Sequence, residues 1–186
     1  MSEPHWSIEG YAIVSDDDRI ADADGAMPDA LRNDADWRYF QQQLDDSAAV
    51  ILGRLGHEAH PNASGRLRVV VSTSSPGLEK RGDAWWWNPA ETPLTAMLRT
   101  IAPQGGRIAV PGGQGVFDLF LALGYDAFHL SRAQGVRLPG GVPVFSAVSE
   151  SCTAEECLAR AGLEAGPLRR LDKVAGVTLS VWRRPG

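Results

Sequence analysis

The chain has no excess of positive charge, few cysteines and no long apolar run, and each absence removes a class of function. With 18 Lys and Arg against 23 Asp and Glu, the formal net charge is −5 at pH 7. Nucleic acid and anionic membrane surfaces select a dominant basic field, so neither is expected as a general partner and any anion site must be local. No apolar stretch reaches the ~18 residues of a membrane span. The opening Met1-Ser2-Glu3-Pro4-His5-Trp6 lacks the basic-then-apolar layout of a secretion signal, so a cytoplasmic location is expected. The two cysteines, Cys152 and Cys157, have a spacing that fits neither a zinc knuckle nor a redox C-x-x-C, and they read as ordinary thiols. Internal repeats, low-complexity tracts and dividing linkers are missing too. The 186 residues, 44% hydrophobic, therefore read as one domain, residues 1–186, with ample core.

What the chain does have is a β-branched run that breaks into glycines. Ile108 to Phe117 reads I-A-V-P-G-G-Q-G-V-F, a strand ending in a turn that opens a helix. Gly112, Gly113 and Gly115 let backbone approach a ligand closely, and a helix start at Gln114 to Phe117 offers unpaired N–H groups to a phosphate. The same glycines would also serve as plain turn punctuation, and both readings stand at this level.

Strand-like and helix-like segments alternate elsewhere, the pattern of an α/β sheet. Strands are expected at Gly10 to Ser15, Ala48 to Leu52, Arg66 to Ser72, Trp85 to Trp87, Ile108 to Val110, Ala127 to Ser131 and Val177 to Trp182. The last alternates Val and Leu against Thr and Ser, as an antiparallel closing strand does. Helices are expected from a cap at Asn33 or Asp34 to about Leu44, and at Ala90 to Ile101, Val116 to Leu123 and Ala154 to Ala161. Asp16 to Leu31 reads as a long irregular loop and Gly135 to Gly141 as a surface loop. His57, Glu58 and His60 spell H-E-A-H, but a zinc-binding helix spaces its histidines one residue further apart and no third ligand is evident, so no metal is expected. Trp85, Trp86 and Trp87 could stack bases, yet without a basic groove they read as alternating core and rim.

Six segments in order carry a resemblance: D-R-I-A-D-A-D-G-A-M-P (Asp18 to Pro28), D-W-R-Y-F (Asp36 to Phe40), V-I-L-G-R (Val50 to Arg54), G-R-L-R-V-V-V-S (Gly65 to Ser72), V-P-G-G-Q-G-V-F (Val110 to Phe117) and F-H-L-S (Phe128 to Ser131). Together they resemble the dihydrofolate reductase superfamily, which includes the reductase domain of riboflavin-pathway deaminase-reductases. The likeness covers residues 10–131 and returns at the last strand. It implies a dihydrofolate-reductase-like α/β fold, with a mostly parallel central sheet flanked by helices and an antiparallel C-terminal strand. It also implies an NADPH-dependent oxidoreductase, monomeric or homodimeric, acting on a small pterin, folate or pyrimidine.

On the cofactor side the resemblance implies Gly53, Arg54, Ser72, Thr73 and Ser74 around the 2′-phosphate. It implies Gly112, Gly113, Gln114, Gly115, Val116 and Phe117 around the pyrophosphate, with Val14, Ile20 and Ala21 beside the nicotinamide. On the substrate side it implies Asp36 as a buried acid accepting two adjacent ring N–H donors, supported by the Ser131 hydroxyl, with Phe40 lining the ring pocket and Arg66 meeting a tail carboxylate. The residues themselves allow plainer roles: Asp34 and Asp36 both suit the first turn of a helix, Arg54 a strand-end surface arginine, and Phe40 the core. A register shift would make Asp34 the acid. Asp29 stands where folate reductases carry tryptophan, Gly56 replaces a helix-capping threonine, and residues 132–175 depart from the pattern. Three functions remain open: hydride transfer to a pterin or folate-like C=N bond; reduction of a ribosylaminopyrimidine, with Arg66 and Arg32 on its phosphate; and NADPH binding without catalysis.

Overall fold

Short β-branched runs become strands in the computed structural model, which describes residues 2–186. The order is β1 (Trp6–Val14), β2 (Arg19–Ala21), α1 (Asp34–Asp45), β3 (Ala49–Gly53), α2 (Arg54–Ala59), β4 (Arg68–Val71), β5 (Leu78–Arg81), β6 (Ala84–Trp87), α3 (Leu94–Ile101), β7 (Gly106–Gly112), α4 (Gln114–Leu123), β8 (Ala127–Ala133), β9 (Val142–Pro143), α5 (Ala154–Arg160), β10 (Glu164–Ala165), β11 (Arg169–Asp172) and β12 (Val177–Arg183). One 10-stranded sheet runs β10-β12-β8-β1-β7-β3-β4-β6-β5, with β11 also on β12. Every pairing from β8 to β6 is parallel, while β12 on β8 and β5 on β6 are antiparallel. Strands covered on both faces read as continuous apolar runs, as Val50 to Leu52 and Val69 to Val71 do.

Helices α3, α4 and α5 cover one face, over a core of Trp87, Phe117, Phe120, Tyr125, Phe128 and Phe145. The Phe117, Tyr125, Phe128 and Phe145 rings meet edge-on, Tyr125 and Phe128 at 5.2 Å between centroids. Helix α1 covers the other face, where Leu44 and Phe40 pack on Tyr11, Val50 and Ala109. Side chains alternate along a strand, so Glu9, Tyr11 and Ile13 of β1 share this α1 side with His129, Ser131 and Ala133 of β8.

The Asn33 cap is where the sequence places it, its side chain accepting from the Asp36 N–H at 3.0 Å. Other boundaries move for local reasons. Strand β1 starts at Trp6, whose indole N–H donates to Ala102 O at 2.8 Å and ties the chain down early. Helix α3 starts at Leu94 rather than Ala90, because Asn88 Oδ1 binds the Ala90 N–H in a turn and Pro93 occupies the cap position. Asp16 to Leu31 is not irregular throughout: β2 pairs antiparallel with β9, and Asp29–Leu31 forms a 3-10 turn. Residues 132–175 supply β9, α5, β10 and β11. The start of α5 clamps the N-terminal loop, since Asp18 accepts from Ala154 N at 2.9 Å and from Arg132 at 2.7 Å.

Candidate active site

Strands β7, β3 and β4 lie side by side and parallel, so their carboxyl ends line up. Gly112 pairs with Leu52, and Gly53 with Val71. The glycine turn, the Gly53-Arg54 step and the loop Ser72 to Ser74 therefore form a row, where open parallel sheets commonly take their ligands. Gly112 has φ +109°, and a Cβ there would sit 2.7 Å from the Phe117 ring, so only glycine fits. Its peptide bond to Gly113 is cis. Gly113 caps α4 without a side-chain bond, and a Cβ on Gly113 or Gly115 would meet nothing within 4 Å. This is an open cradle at a helix start, where N–H groups lack intrahelical partners. Val116 and Phe117 are buried beneath it rather than facing it, and Gln114 ties it to β9 through a 3.0 Å bond to Pro143 O.

Arg54 opens α2 with its guanidinium exposed and only a long contact, 3.7 Å, to Glu58. Beside it Ser72 is buried with its Oγ 3.2 Å from that of Ser74, and Asn88 holds the loop by donating to Thr73 O and Ser75 O at 3.2 and 3.0 Å. Among the described residues the buried Ser75 hydroxyl finds no partner. An open glycine cradle next to an arginine and a hydroxyl-rich loop fits a phosphorylated dinucleotide. Val14 is fully buried at the end of β1, so only its backbone could face a ligand, while Ile20 and Ala21 lie on β2 beyond it.

Asp36 stands half-buried in the first turn of α1. Burial raises its carboxyl above the usual carboxylate range, and the nearby Ser131 hydroxyl pulls the other way. The structure thus brings Asp36 to Ser131 and leaves Asp34 exposed. Ser131 pairs with Ile13, just past the point where Gly10 pairs with both Val110 and Phe128, so the acid and the glycine turn sit at the same end of the sheet. Phe40 is partly core, 6.2 Å from Tyr11 and 5.9 Å from Trp37. Trp37, directly after Asp36, is 56% exposed.

The arginines separate. Arg66 donates from Nε and Nη2 to Asp45 Oδ1 at 3.0 and 2.7 Å and from Nη2 to Gln41 at 2.9 Å, so its cation is already matched. Arg32 is exposed, 3.6 Å from Asp29. It precedes α1 and Arg66 grips the other end of that 12-residue helix, roughly 18 Å away at 1.5 Å per residue, so the two do not meet at one phosphate. His57 lies 3.3 Å from Arg68 and edge-on to Trp86. Among the described residues no group of three or more His, Cys, Asp or Glu could hold a metal ion, and no helix is long and apolar enough to cross a membrane. Trp87 is core, its indole N–H on Thr92 O at 2.8 Å, while Trp85 and Trp86 are half-buried. Burial, with Cys152 beside it, pushes the Cys157 thiol well up.

The chain's architecture is that of dihydrofolate reductase. No family model matches the chain, and no curated protein matches it in sequence. Solved structures do. A protein from Shewanella sp. PV-4 described as a candidate riboflavin biosynthesis protein superposes with a TM-score of 0.68 at 16% identity, covering 97% of this chain and 99% of its own. Dihydrofolate reductase from Enterococcus faecalis, in complex with NADP(H) and RAB-propyl, gives 0.67 at 13% identity over 100% of both chains. A diaminohydroxyphosphoribosylaminopyrimidine deaminase/5-amino-6-(5-phosphoribosylamino)uracil reductase from Thermotoga maritima gives 0.63 at 18% identity, covering 98% of this chain but 57% of that one. The fold expected from the six segments is the fold observed.

Proposed function

We propose that the protein is an NADPH-dependent reductase that delivers hydride to a C=N bond of a pterin or folate-like ring. The observation that supports this best is the Asp36–Ser131 pair lying at the same end of the sheet as the open cradle of Gly113 and Gly115. When bound, the reduced nicotinamide supplies the hydride. Asp36 accepts two adjacent ring N–H donors and fixes the ring, and Ser131 holds the carboxyl in place. Burial raises the proton affinity of Asp36, which favours a proton relay through water toward the substrate ring. Gln114 and the helix start after Gly113 receive the pyrophosphate, and Arg54 with Ser72, Thr73 and Ser74 receives the 2′-phosphate. Phe40 borders the ring, joined by Trp37.

A second reading, reduction of a ribosylaminopyrimidine, is favoured by the likeness to the Shewanella and Thermotoga structures. Oxidation of the reduced cofactor, followed by absorbance with a dihydropterin, dihydrofolate or a ribosylaminopyrimidine phosphate, separates the readings. Oxidation with none of them, in a protein that binds the cofactor, makes it a binding protein without catalysis.

Arg54→Ala should weaken the phosphorylated cofactor about ten- to hundredfold and barely change the unphosphorylated one, since one charge-assisted bond contributes about 1.5–3 kcal/mol. Equal losses, measured by fluorescence titration, would remove Arg54 from the 2′-phosphate site. Arg66 meets an acidic substrate tail only in competition with Asp45. Asp45→Ala should therefore tighten dihydrofolate relative to a tail-less pterin by roughly three- to tenfold. An unchanged ratio of KM values places any tail elsewhere.

A further inference from the structure

Beneath the candidate site runs a chain of buried polar groups that the proposed reaction does not use. Tyr39, one turn along α1 from Asp36, has its hydroxyl 2.6 Å from Nδ1 of His129. His129 stands two residues before Ser131 on β8, so both side chains leave the same face of that strand. Asp36 therefore faces Ser131 one turn before Tyr39 meets His129, so the two pairs follow one another between one helix and one strand.

The second pair is fixed from behind. His129 Nε2 lies 2.7 Å from Glu9 Oε2 on β1, and the two residues are 4% and 6% exposed. Glu9 also accepts from the Ser7 hydroxyl at 3.0 Å and the Tyr11 hydroxyl at 3.2 Å, with Arg107 at 3.5 Å. Burial pushes the Glu9 carboxyl up, but the bonds from His129 and Ser7 and the charge of Arg107 outweigh it and hold it at about 2. An ionised carboxylate only accepts, so Nε2 carries the imidazole proton. Burial lowers the His129 pKa, with Glu9 opposing, which leaves the ring neutral near pH 7. Its Nδ1 then accepts the Tyr39 O–H, and each bond has one direction. Tyr11 stacks on the imidazole at 4.3 Å, and the Arg169 guanidinium lies 5.9 Å from the Tyr39 ring. Apolar contacts alone would let a helix slide or rotate at small cost, whereas a fully satisfied hydrogen-bonded chain permits one register.

We propose that Tyr39, His129 and Glu9 are positioning residues that set the height and rotation of α1 against β8 and so hold the Asp36 carboxyl at Ser131. The proposal rests on the reading of Asp36 and Ser131 as the proton-handling pair of a reductase. Its test does not need turnover. Carbon-13 NMR of the Asp36 side-chain carboxyl gives its titration midpoint in the intact free protein. Tyr39→Phe keeps the ring and removes only its bond to His129; because the nearby Ser131 hydroxyl lowers the midpoint, drawing the two apart should raise it by about 0.5–1 unit. In a Ser131→Ala background the same change should have little effect, a non-additivity diagnostic of coupling. Glu9→Gln, which frees the imidazole tautomer, should shift the midpoint in the same direction. Where turnover is measurable, kcat for Tyr39→Phe should fall about tenfold with cofactor Kd unchanged. An unmoved midpoint, or an equal shift with and without Ser131, overturns the proposal. Coupled titration in a wild-type protein that transfers no hydride supports the positioning chain and overturns the reductase reading instead.

Discussion

Asp36→Asn should lower hydride transfer by roughly 10²–10⁴-fold while leaving cofactor affinity within about twofold. The amide keeps the shape and one acceptor but loses the charge, the second acceptor for a ring N–H and the exchangeable proton. Asp34→Asn should do little, because Asp34 is exposed and Asp36 is the acid beside Ser131. The same substitution carries a stability signature of opposite sign. The folded state raises the Asp36 pKa, so its contribution to stability is full below the unfolded value of about 3.9 and is lost as pH rises through the folded value. Asp36→Asn should therefore melt above wild type at pH 7, with the gap closing on acidification to about pH 4. A variant that loses turnover and also melts lower at pH 7 would mark Asp36 as a structural acid.

Gly113→Val should cut cofactor affinity by at least about a hundredfold and leave the fold in place. Its φ of −69° is open to any residue, and nothing lies within 4 Å of the added Cβ, so the cost falls on whatever approaches from outside. Gly112→Ala offers the contrast, since its φ of +109° and the Phe117 ring at 2.7 Å make that change a folding lesion. Calorimetric titration with cofactor, beside a thermal melt, distinguishes the two. Undiminished binding by a folded Gly113→Val protein would make the glycines turn punctuation.

The sheet was legible in the sequence wherever burial on both faces left an unbroken apolar run, as at Val69 to Val71, and α1 was legible from its Asn33 cap and its helical spacing. The glycine turn could be read because the strand before it and the helix after it differ in period. Short or polar elements were not legible: β9 and β10 have two residues each, and α2 buries none, so neither shows a period. Which of Asp34 and Asp36 is the site acid depends on β8 lying under α1, a pairing across the chain that local spacing does not encode. Asp45 neutralises Arg66 from 21 residues away, and the Glu9–His129 bond spans 120, so a charge map of the sequence treats all four as free.

The position of β1 bears on how the chain reaches this state. Trp6 pairs with Gly106 and Glu9 with Ala127, so β1 is clasped on both edges by strands that follow it by about a hundred residues. Loop closure of that length is slow, and an apolar strand waiting with both edges bare invites the wrong neighbour. Chains interrupted before β8 would carry β1 with one of its two edges bare.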